Sequence, residues 1–480
     1  MQQIKKALEY IRGLWKGDPA LTRQADAYLH SVSWLLPVMV LTALSNMFSL
    51  ELLVYTLFAA VAIYVCLRGS DLQPIMPLVV ACYVAPSRAN NPGRNESSVF
   101  SLAGGGIWIL LLAVAIAAAL AWRIWKDRES WRKQSFALLP GMVILSLSYL
   151  PGGIGSPSWP KYTLRHLIFC VIQSVCLILP YVLFSGGVNW KKVRKDWFAW
   201  FGAALGCLLT WELIWIYLTQ PVIVKGMIQR AVIYSGWGMY NNMGGLLMFM
   251  LPFPFYLGWR HKNERLGLLT ATVFLLGILL SCSRSAILLG CAVYGFGLFW
   301  LVRNGNQKKW FKGLLIAAGV FVVTAIVLFK EPLLQLFGNI LERGLNVDVR
   351  GKIYQRGLTF FSEYPVFGVS FFPPKYSPWN WSTNDSFTAI FPGRWHNTLL
   401  QLLATGGLVS FFAYCYHRLQ TMRLFKNVRW REIRVVEASL VALLAASLFD
   451  CHFYNVGPVL YYAMGLAFAE RIVKSQVPLR

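Results

Sequence analysis

LGLLTATVFLLGILLSCSRSAILLGCAVYGFGLFWLV, residues 266–302, decides the fold. It is two apolar runs, 266–281 and 285–302, parted only by Ser281-Cys282-Ser283-Arg284-Ser285. Runs of this length and composition cross bilayers as helices. Arg284 then sits at membrane depth, where a cation is costly unless it faces protein, water or an anion. Ser283 is placed to cap the helix that follows, and a helix N-terminus is itself an anion-binding end. The pair points to a phosphate-like ligand near one membrane face. The plainer reading is an arginine snorkelling to lipid headgroups.

Outward from that stretch the pattern repeats. Hydrophobic residues make up 57% of the 480, charged residues 14%, and mean hydropathy is +0.52. About fourteen spans of roughly 20 residues or fewer are expected, near 33–49, 51–67, 72–86, 102–122, 134–150, 164–184, 197–217, 243–260, 266–281, 285–302, 313–330, 396–415, 435–450 and 456–472. The expected fold is therefore an all-α polytopic membrane protein. Residues 33–480 form a single transmembrane domain with no soluble domain. In residues 1–32, Ile4, Leu8, Ile11 and Trp15 alternate with Lys5, Lys6, Arg12 and Lys16, which predicts an amphipathic helix on the cytoplasmic surface.

The net charge of +25 suggests nucleic acid only until the charges are placed. Under this topology roughly 31 of the 45 Lys and Arg lie on one side, the positive-inside pattern. Orientation and anionic lipid explain the surplus, so membrane lipid is the expected partner and nucleic acid is not. Both termini are then cytoplasmic. The nine Cys show no CxxC and no metal-ligand spacing, so no metal site is expected.

The segment 331–395 is the longest outside the spans, and it is too rich in aromatic and aliphatic residues to read as disordered. Helical spacing predicts amphipathic helices over 332–345 and 350–364, the second ended by Pro365. The aromatics Phe367, Phe371, Phe372, Tyr376, Trp379, Trp381, Phe387, Phe391 and Trp395 follow. They read as interfacial anchors, with sugar stacking open to a few. Arg343, Arg350, Lys352, Arg356, Lys375 and Arg394 occupy the side that should be poor in cations. With Arg230 and Arg284 they form an external basic set. Arginine is favoured where phosphate is held bidentately. His396 stands where the loop re-enters the membrane. A helix N-terminus there disfavours the charged imidazole and leaves it fit to act as a base. The plainer reading is an interfacial His bonded to a loop carbonyl. Asn397 and Gln401 share one face of the same span.

These residues resemble a known family. Arg350-Gly351-Lys352-Ile353-Tyr354, Pro365-Val366-Phe367-Gly368 and His396-Asn397-Thr398-Leu399-Leu400-Gln401 resemble the signature of the O-antigen ligase/polymerase superfamily. Ser283-Arg284-Ser285-Ala286 resembles its Ser-Arg turn, and Arg230 with Asn241-Asn242 its upstream Arg…Asn element. The resemblance covers about residues 225–415, in order. It departs at Ser370, where the family often has a second glycine, and before the Gly pair, where the family often has an acidic residue and this chain has Ala404-Thr405-Gly406-Gly407.

The resemblance implies a GT-C-like, metal-independent, inverting glycosyltransferase without cofactor, in the inner membrane of a bacterium. Its donor would be a glycan on undecaprenyl pyrophosphate and its acceptor a hydroxyl on a glycan or lipid-glycan. His396 would be the base. Arg230, Arg284, Arg350, Arg356, Asn242 and Asn397 would bind substrate. A transporter or flippase of lipid-linked sugars is the alternative class, though no inverted repeat is visible.

Overall fold

The computed structural model describes residues 13, 17–85, 105–157, 159–224, 227–236, 238–307, 309–310, 312–313, 347–372, 395–426, 428 and 430–476. The expected helices near residues 4–15 and 332–345 and the span at 313–330 fall outside these. So do Arg343, Lys375, Tyr376, Trp379, Trp381, Phe387, Phe391 and Arg394.

The described chain is helical apart from two small hairpins. It begins with α1 (Pro19–Leu29), capped by Asp18, whose Oδ1 accepts from Ala20 N at 2.9 Å. Then come α2 (Leu35–Phe48), α3 (Glu51–Arg68), α4 (Ile75–Val84), α5 (Gly106–Lys126), α6 (Arg128–Arg132), α7 (Leu139–Tyr149), α8 (Trp159–Gly187) and α9 (Trp197–Thr219). The hairpins β1–β2 (Ile223–Val224, Met227–Ile228) and β3–β4 (Tyr234–Ser235, Gly238–Met239) follow, separated by a 3-10 turn at Arg230–Val232. The second half holds α10 (Tyr240–Met250), α11 (Pro252–Arg260), α12 (Glu264–Leu280), α13 (Arg284–Asn304), α14 (Val347–Glu363), α15 (Thr398–Lys426), α16 (Arg431–Ser447) and α17 (Val456–Gln476).

Among the described residues seven helices are long and apolar enough to cross a membrane, or eight if the pair bent by 77° at Pro19–Leu29 and Val32–Phe48 counts as one. This is a multi-pass membrane protein. The remaining expected spans appear as shorter helices. Pro252 divides the stretch at 243–260 into α10 and α11, since proline cannot donate within a helix. The spans at 266–281 and 435–450 become helices of 17 residues each. Helix α17 is the most enclosed of the spans and α5 the least. Ile107, Leu110, Leu111 and Val114 of α5 face outward, as a lipid-facing helix should.

Two of the charges inside this bundle are held by protein groups. At the end near residues 135 and 474, the buried carboxylate of Glu470 accepts from Ala137 N at 2.9 Å, from Tyr181 Oη and from Lys474. Arg123 is held by the carbonyls of Gly69 and Ser70 at 2.6 and 2.7 Å and by Asp127. Burial is affordable for such groups only when they are bonded in this way.

The opposite end is more irregular. Helix α15 breaks at Gly407, which has φ 63° and ψ −160°. The segment 365–370 docks into the break. Leu408 N donates to Pro365 O at 2.8 Å and Val409 N to Val366 O at 3.3 Å; in return Val369 N and Ser370 N donate to Ala404 O and Thr405 O at 2.8 and 3.0 Å. Non-helical backbone is tolerated at membrane depth only where such exchanges satisfy it. Ile353, Phe360, Val369, Trp395, Leu400 and Ala404 form a small apolar cluster there, apart from the main core. Three of the expected interfacial aromatics that are described behave otherwise. Phe371, Phe372 and Trp395 are buried, and Phe371 packs among Tyr149, His166, Phe169 and Tyr454.

Candidate active site

The expected residues are reached by following contacts outward from α10. Its glycines let neighbours approach closely. A Cβ at Gly244 would stand 2.4 Å from Ser281 Oγ and 2.8 Å from Ala286 Cβ; one at Gly245 would stand 2.5 Å from the ring of His452. The Ser281–Arg284 turn and the 3-10 turn at His452–Tyr454 therefore both lie against the first turns of α10. Asn242, buried on the same helix, accepts from Asn455 Nδ2 at 2.8 Å. Tyr240 opens the helix, and the guanidinium of Arg230 lies 5.5 Å from its ring centroid. Arg230, Asn242 and the turn bearing Arg284 thus share one end of the bundle.

The turn before α13 is held by Tyr217, whose hydroxyl donates to Leu280 O at 2.8 Å. Cys282 takes a left-handed φ of 53°. Ser283 is the N-cap residue, as the sequence indicates, but its side chain makes no capping bond. Its hydroxyl is buried and has no hydrogen-bond partner among the described residues. Arg284 is exposed, at the first position of α13.

His396 differs from expectation in its local setting. The helix begins at Thr398, and Asn397 is its cap: Asn397 Oδ1 accepts from Leu399 N and Leu400 N at 2.9 and 3.0 Å, and Nδ2 donates to Leu448 O at 2.9 Å. His396 lies one residue before the cap with φ 52°. A left-handed conformation in a side-chain-bearing residue is strained, and the surroundings impose it. Tyr354 of α14 donates to His396 O at 3.3 Å. Gln401 Oε1 accepts from Trp395 N at 3.0 Å and from Cys451 Sγ at 3.3 Å, tying the two loops together. The ring has a buried carboxylate beside it, within ion-pair distance but not in hydrogen-bonding geometry. His396 Nδ1 lies 3.3 Å from Asp450 Oδ1.

Asp450 is 3% exposed. Burial alone pushes its carboxyl up. His396 and His452 beside it, and the N–H of Cys451, outweigh that and hold it well below the usual carboxylate range. An ionised carboxylate at Nδ1 favours the tautomer with its proton there and leaves Nε2 able to accept. With side-chain exposure of 26%, His396 is reachable by a substrate.

Arg356 lies on α14, its guanidinium 4.6 Å from the Phe360 ring centroid. Arg350 is in the first turn of that helix, and its side chain lies outside those described. Asn397 proves to be a cap and a tie to Leu448. The sequence reading did not find Asp450. Both Asp450 and His452 fall beyond the matching motifs. The available signal was an acid and a histidine together in Asp450-Cys451-His452 at the edge of an apolar run.

Ser370, where the family often has glycine, has φ 80°. The position requires the left-handed conformation that glycine adopts freely. Here the serine offsets its strain by bonding: its Oγ accepts from Phe372 N at 3.1 Å and lies 3.2 Å from His166 Nδ1.

No curated protein matches this chain. Residues 268–415, which carry Arg284, α14 and His396 but stop short of Asp450, match the family model described as O-Antigen ligase, and that match supports placing the chain in the O-antigen ligase/polymerase superfamily.

Proposed function

We propose that this protein is an inverting glycosyltransferase of the O-antigen ligase or polysaccharide polymerase type. It moves a glycan from undecaprenyl pyrophosphate to an acceptor hydroxyl at the outer face of a bacterial inner membrane. The donor, the face and metal independence come from the family resemblance. The observation that carries the reading is the 3.3 Å approach of His396 Nδ1 to the buried Asp450, at the end of the bundle that also bears Arg230 and Arg284.

In this mechanism His396 Nε2 removes the acceptor hydroxyl proton. The acceptor oxygen attacks the anomeric carbon from the face opposite the leaving group. The bond from that carbon to the pyrophosphate oxygen breaks with its electron pair, and the configuration inverts. Arg284 and Arg230, with Arg350 and Arg356, meet the charge on the departing lipid pyrophosphate. Asn242 and Asn397 line the same end. Asp450 holds the ring and stabilises the imidazolium as it forms.

The test is transfer by purified protein in detergent, with lipid-linked glycan donor and a hydroxyl acceptor. His396→Ala should lower the rate by about 10²–10⁴-fold with donor affinity kept, and EDTA should change nothing. A flippase would transfer nothing without a sealed membrane. If EDTA stops transfer, or if His396→Ala loses donor affinity at unchanged rate, the assignment is wrong.

A further inference from the structure

A cation inside the bundle belongs to none of these roles. Arg418 lies in α15 about midway between the break at Gly407 and the end at Lys426. Its guanidinium carbon is 4.5 Å from the ring centroid of Tyr414 and 4.8 Å from those of Phe453 and Tyr462. One nitrogen donates to Tyr462 Oη at 2.6 Å, and His417 Nε2 meets the same hydroxyl at 2.9 Å. Among the described residues no carboxylate forms an ion pair with it.

An arginine within a spanning helix is costly, and packing alone would be served by methionine or leucine. What the charge adds is directional attraction to aromatic faces, stronger where water is excluded. One of those faces is Phe453, the middle residue of the His452–Tyr454 turn that follows Asp450. The turn's other two residues are held from elsewhere as well. His452 lies against Gly245, and the Tyr454 carbonyl accepts from Gln173 Nε2 at 3.1 Å. Tyr454 also packs on Tyr149 and Phe371, and Phe453 is the residue through which Arg418 reaches the turn.

We propose that Arg418 is a positioning residue for the transfer: by clamping Phe453 it sets the height and tilt of the turn, so that the Asp450 carboxylate meets His396 Nδ1. This rests on the acid–base reading of His396 and Asp450.

The experiment is a double-mutant cycle on the full chain in detergent, with rates normalised to the monodisperse fraction. Arg418→Met keeps length and apolar bulk and should lower the rate by about 10²-fold, the usual effect of a small misplacement. In the Asp450→Asn background the same change should cost nothing more, because the contact it serves is gone. A merely structural role would give an additive loss. Phe453→Leu should reproduce the loss, and Phe453→Trp, which keeps an aromatic face, should retain most of the rate. Phe453→Leu decides the matter if Arg418→Met is not monodisperse. Wild-type rate in Arg418→Met, or additive losses with a slow Asp450→Asn, overturns this inference alone. Wild-type rate in Asp450→Asn overturns it together with the acid–base reading.

Discussion

At the residue scale, cost decides what is informative. Arg284 and His396 stand out in the sequence because a cation or imidazole at membrane depth needs a reason. Asp450 carries a prediction of its own. Its carboxyl is held low in the folded protein, so its contribution to stability is present above the unfolded carboxylate value and is lost as pH falls below it. Asp450→Asn should therefore lower stability by about 2 kcal/mol at neutral pH. Thermal unfolding in detergent should show the gap to wild type shrinking below about pH 4. A gap that widens on acidification would mean that the carboxyl is not stabilised as its anion. The sequence did not reveal this residue for a physical reason. An acid closing an apolar run reads as the boundary of a span, and only the tertiary fold brings it to His396. The motif residues were legible because their order and spacing are local. Their convergence depends on close approaches such as those at Gly244 and Gly245, which no periodicity announces.

At the element scale, hydropathy found the apolar segments but not their interruptions. The run at 396–415 reads as one span, yet α15 is broken at Gly407 and runs on to Lys426. The break exists because the 365–370 segment supplies the missing backbone partners, a long-range exchange invisible in a window of sequence. The end of α14 was legible, since Pro365 sits just beyond its last residue, Glu363. Gly407 is the position on which this element depends. A Cβ there would lie 2.2 Å from Val366 O, in a conformation that side chains rarely adopt. Gly407→Ala should cost about 3 kcal/mol, from overpacking and left-handed strain together. It should also loosen the 365–372 segment, read as faster proteolysis in that stretch. An unchanged melting temperature with unchanged proteolysis would show that the two halves of the helix do not need the docked segment.

At the scale of the whole molecule, the proposed topology divides the basic surplus into two parts. Under the expected topology most of the Lys and Arg fall on the cytoplasmic side and orient the chain, as positive charge does in membrane proteins. The arginines at the irregular end would run against that bias, which the proposed site for an anionic lipid-linked donor accounts for. This division requires α14 and the end of α13 at Asn304 to face opposite compartments. The prediction is tested with an impermeant thiol reagent on intact cells, after Cys207 and Cys291, the exposed native cysteines among those described, are replaced by serine. Ser362→Cys, on the exposed side of α14, should be labelled from outside. Asn306→Cys, exposed just beyond α13, should be labelled only after the membrane is permeabilised. Labelling of both from the same side would separate Arg284 from the long loop. It would remove the reason for reading Arg230, Arg284 and His396 as parts of one outward-facing site.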